Sequence, residues 1–400
     1  MPRSAMPRGR LSRALGLVAA LALLPLGAGA AGPLPVTVGY LSVARPAPPL
    51  LTELDRPPEG LGRDGARLGL ADNATTGRFL GHDWRLSERA VALGDDPLPV
   101  ARAALAESPL LVVDAAPDAL LAIADLPEAV GAVIVNATEG AVALRDSDCR
   151  ANLLHVAPSL AMRTDALAQF LAMRRWADLV LVEGAHPDDR AYAAALEASL
   201  GKFGLRIRDR RAWTFDADMR RNAAQEVPLF TQGFGDYDAL LIADEIGDFG
   251  RFLAYNTWEP RPVAGSEGLV ATAWAPMLEQ WGAAQLQTRF REMSGRPMEA
   301  GDWGGWAAVR ALGEAVTRTG AADPAALRDF MLSDGFELAG FKGEALSFRP
   351  WNGQLRQPVP LVQPRALVAQ APLEGFLHQV SELDTLGLDR ADSACTAFGG

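Results

Sequence analysis

Residues 110–136, LLVVDAAPDALLAIADLPEAVGAVIVN, carry the pattern from which the fold is read. Leu110–Asp114 and Ala132–Asn136 are short, mostly branched apolar runs, each ending on a polar residue, as expected of strands buried on both faces. Ala119–Ala124 between them reads as a short helix. Buried strands alternating with helices imply a parallel sheet, because parallel neighbours need a crossover rather than a tight turn. Ligand-binding groups in such a sheet gather at the strand C-terminal ends. Asp114-Ala115 and Asn136-Ala137-Thr138 stand there, although Asp, Asn and Thr are also favoured helix caps.

The same alternation extends in both directions. Pro35–Tyr40 reads as a buried first strand, followed by a long loop with arginines at 45, 56 and 63. Gly60–Gly65, GLGRDG, matches G-x-G-x-x-G by letter, but DRPPE precedes it where a dinucleotide fingerprint needs a strand. The expectation is a loop feeding a helix over Ala66–Ala74, then a strand at Trp84–Val91 and a helix at Pro99–Glu107. Leu153–Pro158 is a short strand closed by proline, and Ser159 caps a long helix, Leu160–Arg175. A second β/α run follows: strands at Asp178–Glu183, Arg206–Trp213 and Ala239–Asp244, with a helix at Asp188–Leu200. No sequence repeat accompanies it, so two lobes of similar pattern are expected rather than a duplicated motif.

Phe249–Thr288 is rich in Trp, Arg, Pro and Gly, and five of the nine tryptophans fall between it and the helix that follows. Guanidinium groups beside aromatic planes suit gripping a flat anion better than bond breaking. Asp302 is expected to cap a helix to about Thr319 whose stripe Trp306, Val309, Leu312 and Val316 marks a buried face. Trp303, on its first turn, can either pack or meet a ligand.

Residues 1–30 read as a secretory signal: Arg3, Arg8, Arg10 and Arg13 without an acid, an apolar run Leu15–Leu26, then Ala28-Gly29-Ala30. Without those four arginines, 34 basic side chains face 49 acidic ones, a net −15. That balance argues against nucleic acid and anionic membrane surfaces, but not against a small anion in a pocket. In an exported chain Cys149 and Cys395 are expected to form one disulfide, with two separate buried thiols the alternative. The four histidines have no metal-ligand spacing, no Walker G-K-[ST] occurs, and Ala264–Gly268 lacks the first glycine of a nucleophile elbow. The sequence therefore predicts no catalytic set, no metal site and no catalytic cofactor.

Several segments together resemble the type I periplasmic solute-binding proteins of ABC transporters, branched-chain amino-acid-binding branch. They are Val36–Tyr40, Gly65–Leu86 with Gly81 in its turn, the crossing Leu153–Pro158, Gly268–Thr272, Asp302–Ala315, and Phe341-Lys342-Gly343 before Leu346-Ser347-Phe348. The strings ADNATTGRFLG (71–81), Ile242–Glu245 with Phe249-Gly250-Arg251, and NTWEPRPVAG (256–265) are similar to a subfamily associated with pyrroloquinoline quinone (PQQ)-dependent alcohol dehydrogenase systems. The resemblance implies an α/β fold of two parallel-sheet lobes joined by a multi-strand hinge. Lobe one is expected over 34–155 and 272–336, and lobe two over 159–270 and 341–400. It implies a non-enzymatic, monomeric periplasmic receptor that closes over a small ligand and serves an inner-membrane ABC permease. PQQ or a related planar carboxylated molecule is the implied ligand. An amino acid, an alcohol-oxidation product, or PQQ delivery without a permease are the alternatives. Matching positions place the ligand at Asp114, Ala115, Asn136, Thr138, His186, Asp244, Glu245 and Trp258–Arg261. Arg56 and Arg261 are expected to hold carboxylates, and Trp258, Trp274 and Trp303 to stack on the ring. Amino-acid binders of this family offer small hydroxyl residues after the third strand; Asp114-Ala115-Ala116-Pro117 does not, which disfavours an ordinary α-amino acid.

Overall fold

In the computed structural model, which describes residues 32–48, 50–214 and 219–399, two sheets stand side by side, their strand ends facing a common cavity. The expected signal at 1–30 lies outside the described residues. The first sheet contains β1 (Leu34–Val43), β2 (His82–Val91), β3 (Leu110–Asp114), β4 (Val133–Asn136) and β5 (Leu153–His155). Every pairing is parallel, in the order β2-β1-β3-β4-β5. Helices α1 (Arg63–Leu80), α2 (Leu98–Glu107) and α3 (Pro117–Ala124) make the crossovers. Alternation along the strands divides the interior: Val36, Val38, Tyr40, Val112 and Val135 face one core, and Leu41, Leu111, Val113 and Ile134 the other.

The second lobe begins with α4 (Leu160–Arg174), capped by the Ser159 hydroxyl, which accepts from Met162 N at 3.1 Å. It continues through β6 (Leu179–Glu183), α5 (Pro187–Lys202), β7 (Ile207–Ala212), α6 (Met219–Thr231), β8 (Ala239–Ala243), α7 (Gly250–Leu253), β9 (Val263–Gly265) and β10 (Leu269–Ala271). The chain then returns to the first lobe through α8 (Ala283–Ser294), α9 (Ala300–Thr319) and α10 (Pro324–Met331). A small antiparallel sheet, β11 (Leu338–Ala339), β12 (Ala345–Phe348) and β13 (Leu355–Arg356), follows. Finally β14 (Val359–Gln363) and β15 (Ala366–Ala371) add antiparallel strands to the second sheet, whose order is β15-β14-β10-β9-β8-β6-β7. That sheet is therefore mixed rather than wholly parallel.

Three crossings join the lobes, at 156–159, 271–273 and 356–359. They are laced together: the Gln357 amide donates to Val156 O at 2.6 Å, and Thr272 N to Pro360 O at 3.1 Å. Beside them the buried Arg145 guanidinium donates to Gln354 Oε1 at 2.8 Å and to Ala157 O at 3.0 Å.

Several boundaries differ from the sequence reading, among them α1, which begins inside the expected loop. Residues 341–356 pack on the first lobe, because Leu346, Phe348 and Leu355 share the core of Val36 and Trp306. The tail is divided: Leu373 and Leu386 pack in the second lobe, while Phe398 meets the first. Asp302 is not the cap of α9. Glu299 is, and Asp302 sits at the third helical position, its carboxylate accepting from Glu299 N at 3.0 Å and from Arg296 Nη1 at 2.6 Å. The stripe Trp306, Val309, Leu312 and Val316 is buried as its spacing demanded.

The GLGRDG segment serves helix packing. α1 lies so close to α9 that a Cβ on Gly65 would sit 1.8 Å from Asp302 O, and one on Gly305 2.1 Å from Gly62 O. Gly62, at φ 77°, turns the chain into α1. The expected disulfide is present, joining Cys149 and Cys395 across 246 positions of sequence.

Candidate functional site

A cavity of about 860 Å³ opens where the C-terminal ends of the parallel strands of both sheets meet. That is the place in an α/β sheet where loops, not side-chain layers, define the surface. The first lobe contributes Arg45, two residues beyond β1, together with Thr138 and Glu139 beyond β4. The second contributes Arg163 from the first turn of α4, Asp188 at the mouth of α5 and Glu245 beyond β8. The crossings Ala157-Pro158 and Thr272-Ala273 line its back, so the cavity lies against the segments that join the two lobes.

The loops are held before any ligand arrives. The Asn136 carboxamide oxygen accepts from Thr138 N at 3.2 Å and Glu139 N at 2.9 Å, folding the loop back on itself. Behind that loop, a Cβ on Gly304 would lie 2.0 Å from Ala137 O, so α9 presses directly on its backbone. Across the cavity, Asp189 accepts from Glu245 N at 2.7 Å and His186 N at 3.1 Å, tying the end of β8 to the start of α5.

Both arginines arrive already paired. Arg45 reaches Glu139 at 3.2 Å, Asp114 at 3.3 Å and the Thr138 hydroxyl at 3.2 Å. The Thr138 hydroxyl donates to Asp114 Oδ1 at 2.5 Å. Arg163 grips Glu245 through two bonds, at 2.8 and 3.0 Å, and its Nε donates to Ala271 O at 3.0 Å. Burial works against the Arg163 charge, but Glu245 outweighs it and holds its pKa above the ordinary value. The guanidinium also lies 5.3 Å over the Tyr192 ring, whose hydroxyl is pushed up by burial.

The sequence-derived candidates fall into four groups. Thr138 and Glu245 line the cavity, and Asp114 orients Arg45 at its rim. Asn136, Ala115, His186 and Asp244 lie at strand ends but do structural work. Asn136 and Ala115 are fully buried, and Asn136 also contacts His155 Nδ1 at 3.0 Å. His186 caps α5, its Nδ1 accepting from Asp188 N at 3.3 Å. Asp244 accepts from Phe249 N at 3.0 Å and Gly250 N at 2.6 Å.

Trp274 and Trp303 are corrected from ring stacking to core. They are 2% and 0% exposed and stack on each other at 6.4 Å, and Trp303 Nε1 donates to Gly340 O at 3.2 Å. Lys342, buried and donating to Gln357 Oε1 at 2.6 Å, lies 3.8 Å over the Trp303 ring; burial drives its pKa well down.

Trp258 and Arg261 are corrected more sharply. They precede β9, and Leu240 N at the start of β8 donates to Pro262 O at 2.9 Å. They therefore sit at the N-terminal end of this sheet, away from the cavity. Trp258 is 59% exposed and Arg261 pairs with Asp236. Arg56, exposed, pairs with Glu53 of its own loop at 3.2 Å. From that loop it is Asp55 that reaches the second lobe, meeting Arg251 at 2.7 Å.

The residues missed were Arg45, Glu139, Arg163 and Asp188. Arg163 carried a legible signal, since a cation on the first turn of a helix opposes the macrodipole and requires a reason. Arg45 lay just past the end of the first strand, the position that the parallel-sheet rule singles out.

No known family's sequence profile matches the chain, and no curated protein matches it. Solved structures do. The chain is similar to a branched-chain amino-acid ABC transporter periplasmic ligand-binding protein from Burkholderia xenovorans, at 15% identity and TM-score 0.70, covering 91% of this chain and 100% of that one. It is similar to an ABC transporter substrate-binding protein from Desulfitobacterium hafniense, solved with leucine, at 17% identity and TM-score 0.61, over 83% and 99%. A branched-chain amino-acid transporter substrate-binding protein from Streptococcus pneumoniae, solved with isoleucine, matches at 12% and TM-score 0.61, over 84% and 98%. The fold is that of the type I periplasmic binding proteins. Among the described residues no helix is long and apolar enough to cross a membrane.

Proposed function

We propose that the protein is the periplasmic solute-binding component of an ABC uptake system, exported by its N-terminal signal and closing over a small ligand between its lobes. The observation that carries this reading is the convergence of Arg45 from one lobe and Arg163 from the other on a single cavity backed by the hinge crossings. A ligand touching both lobes stabilises the closed state by its differential affinity for it, which is how such receptors signal occupancy to a permease.

PQQ, the ligand implied by the sequence resemblance, is the second reading. The cavity volume, near the upper end of the roughly 300–1,000 Å³ usual for small-molecule sites, and its two guanidinium groups support it. Among the described residues, however, the cavity lining holds no aromatic side chain to stack on a quinone ring. An amino acid, the ligand of two of the similar structures, is the third candidate.

Isothermal titration with PQQ, leucine and short-chain carboxylic acids, paired with small-angle scattering, tests the proposal. Saturable heat with a fall in radius of gyration is expected for one ligand class. Absence of both across the panel and across a fractionated periplasmic extract defeats the receptor reading.

A further inference from the structure

The cavity's charges are committed in a way that bears on the chemistry of its ligand. Both Glu245 oxygens accept from Arg163, and Glu139 is held by Arg45 at 3.2 Å while its Oε1 accepts from Ala141 N at 2.9 Å. Asp114 is shared between Arg45 and the Thr138 hydroxyl. Asp188 is the remaining lining acid, and at 69% side-chain exposure it stays hydrated at the mouth. An incoming ammonium group therefore finds Glu245, Glu139 and Asp114 each already beside a guanidinium, and to reach one it must share the carboxylate with that like charge or, at Glu245, compete with a two-bond contact. The arginines keep donors to spare. A guanidinium has five donors, and Arg163 uses three of them on Glu245 and Ala271. Away from these charges the lining includes small and aliphatic residues, Val142, Leu160, and Ala191, Ala194 and Ala195 of α5.

Building on the receptor reading above, we infer that the ligand is an aliphatic carboxylate without an α-ammonium group, its head on the spare arginine donors and its chain along the alanine face of α5. The paired acids then set specificity: they keep the two cations in place and present no free anion to a zwitterion. Discrimination arises because the ammonium gives up its hydration only to share a carboxylate already held by a guanidinium, whose like charge opposes it.

Hexanoate and norleucine test this, since they share one carbon skeleton and differ at the α-ammonium. Titration of the full mature protein should show hexanoate binding at least about tenfold more tightly, the smallest ratio expected when one charged hydrogen bond goes unmade. Equal or tighter binding of norleucine overturns the inference. So does failure of both while PQQ saturates, an outcome that leaves the receptor reading standing; failure of every ligand and of closure defeats both. Two variants separate specificity from folding, each checked for its melting temperature. Arg163→Met frees Glu245 and should move the preference towards norleucine. Glu245→Gln should leave hexanoate preferred. If Arg163→Met folds and the preference does not move, the paired-acid account is wrong.

Discussion

Asp384 offers the sharpest test of what holds the hinge region together. Its carboxylate is fully buried and accepts from Arg349 Nε at 2.8 Å and from Arg356 Nε at 2.9 and 3.0 Å, the two arginines being 1% and 11% exposed. Arg349 also donates to Leu386 O at 2.6 Å and Leu383 O at 3.0 Å, so this cluster binds the C-terminal tail to the strands that lead into the third crossing. Asp384→Ala leaves two guanidinium groups buried beside each other without the carboxylate they share. Removing one partner of a buried pair costs about 3–5 kcal/mol. Replacing all three residues by apolar ones, as Arg349→Met, Arg356→Leu and Asp384→Leu, removes the uncompensated charge and should recover most of that loss, less the cost of carbonyls left unpaired. Urea unfolding followed by far-UV circular dichroism measures both. A loss under about 1 kcal/mol for Asp384→Ala, or a triple variant less stable than the single one, refutes the reasoning.

Four further outcomes are expected. Arg45→Met should weaken hexanoate binding about tenfold or more in titration, with little change in melting temperature, because its partly exposed pairs contribute about 1 kcal/mol or less to stability. Trp258→Ala combined with Arg261→Ala should leave affinity unchanged, since both lie at the far end of the second sheet; lost affinity there restores the clamp expected from sequence. Cys149→Ser with Cys395→Ser should lower the unfolding free energy measured in urea, by up to about 4–5 kcal/mol in the loop-entropy account, while hexanoate affinity stays the same. Asp248 is pushed up to about 6 by burial and by the neighbouring Asp244 and Asp189 carboxylates, and its Oδ1 has no hydrogen-bond partner. Its folded pKa lies above the unfolded one, so this group's contribution to stability falls as pH rises from about 4 to 6. Asp248→Asn should therefore raise the melting temperature at pH 7.5 by about 2 °C and lose that advantage at pH 4.5.

Much of the architecture was legible because it is written in local pattern. The apolar runs 110–114 and 132–136 could satisfy their backbone and bury both faces only as central strands of a parallel sheet. The Ser159 cap and the proline before it marked where the second lobe begins. The site was legible only in part. Strand ends pointed to Thr138 and Glu245, but the same rule admitted Asn136 and Asp244, which turned out to satisfy backbone donors instead. Local sequence could not separate these roles, because a cap and a ligand contact use the same side chains.

The sequence by itself determined the alternation of strand and helix, the two-lobe plan and the absence of recognisable catalytic spacing, since each depends on neighbours along the chain. Only the tertiary structure decided which end of β9 the Trp258–Arg261 segment occupies, that Trp274 and Trp303 stack inside the first lobe, and that Arg163 meets Glu245 across 82 positions of sequence. Those outcomes depend on strand order and on contacts between distant segments. A charge or an aromatic ring carries no mark in the sequence of the partner that will neutralise or cover it.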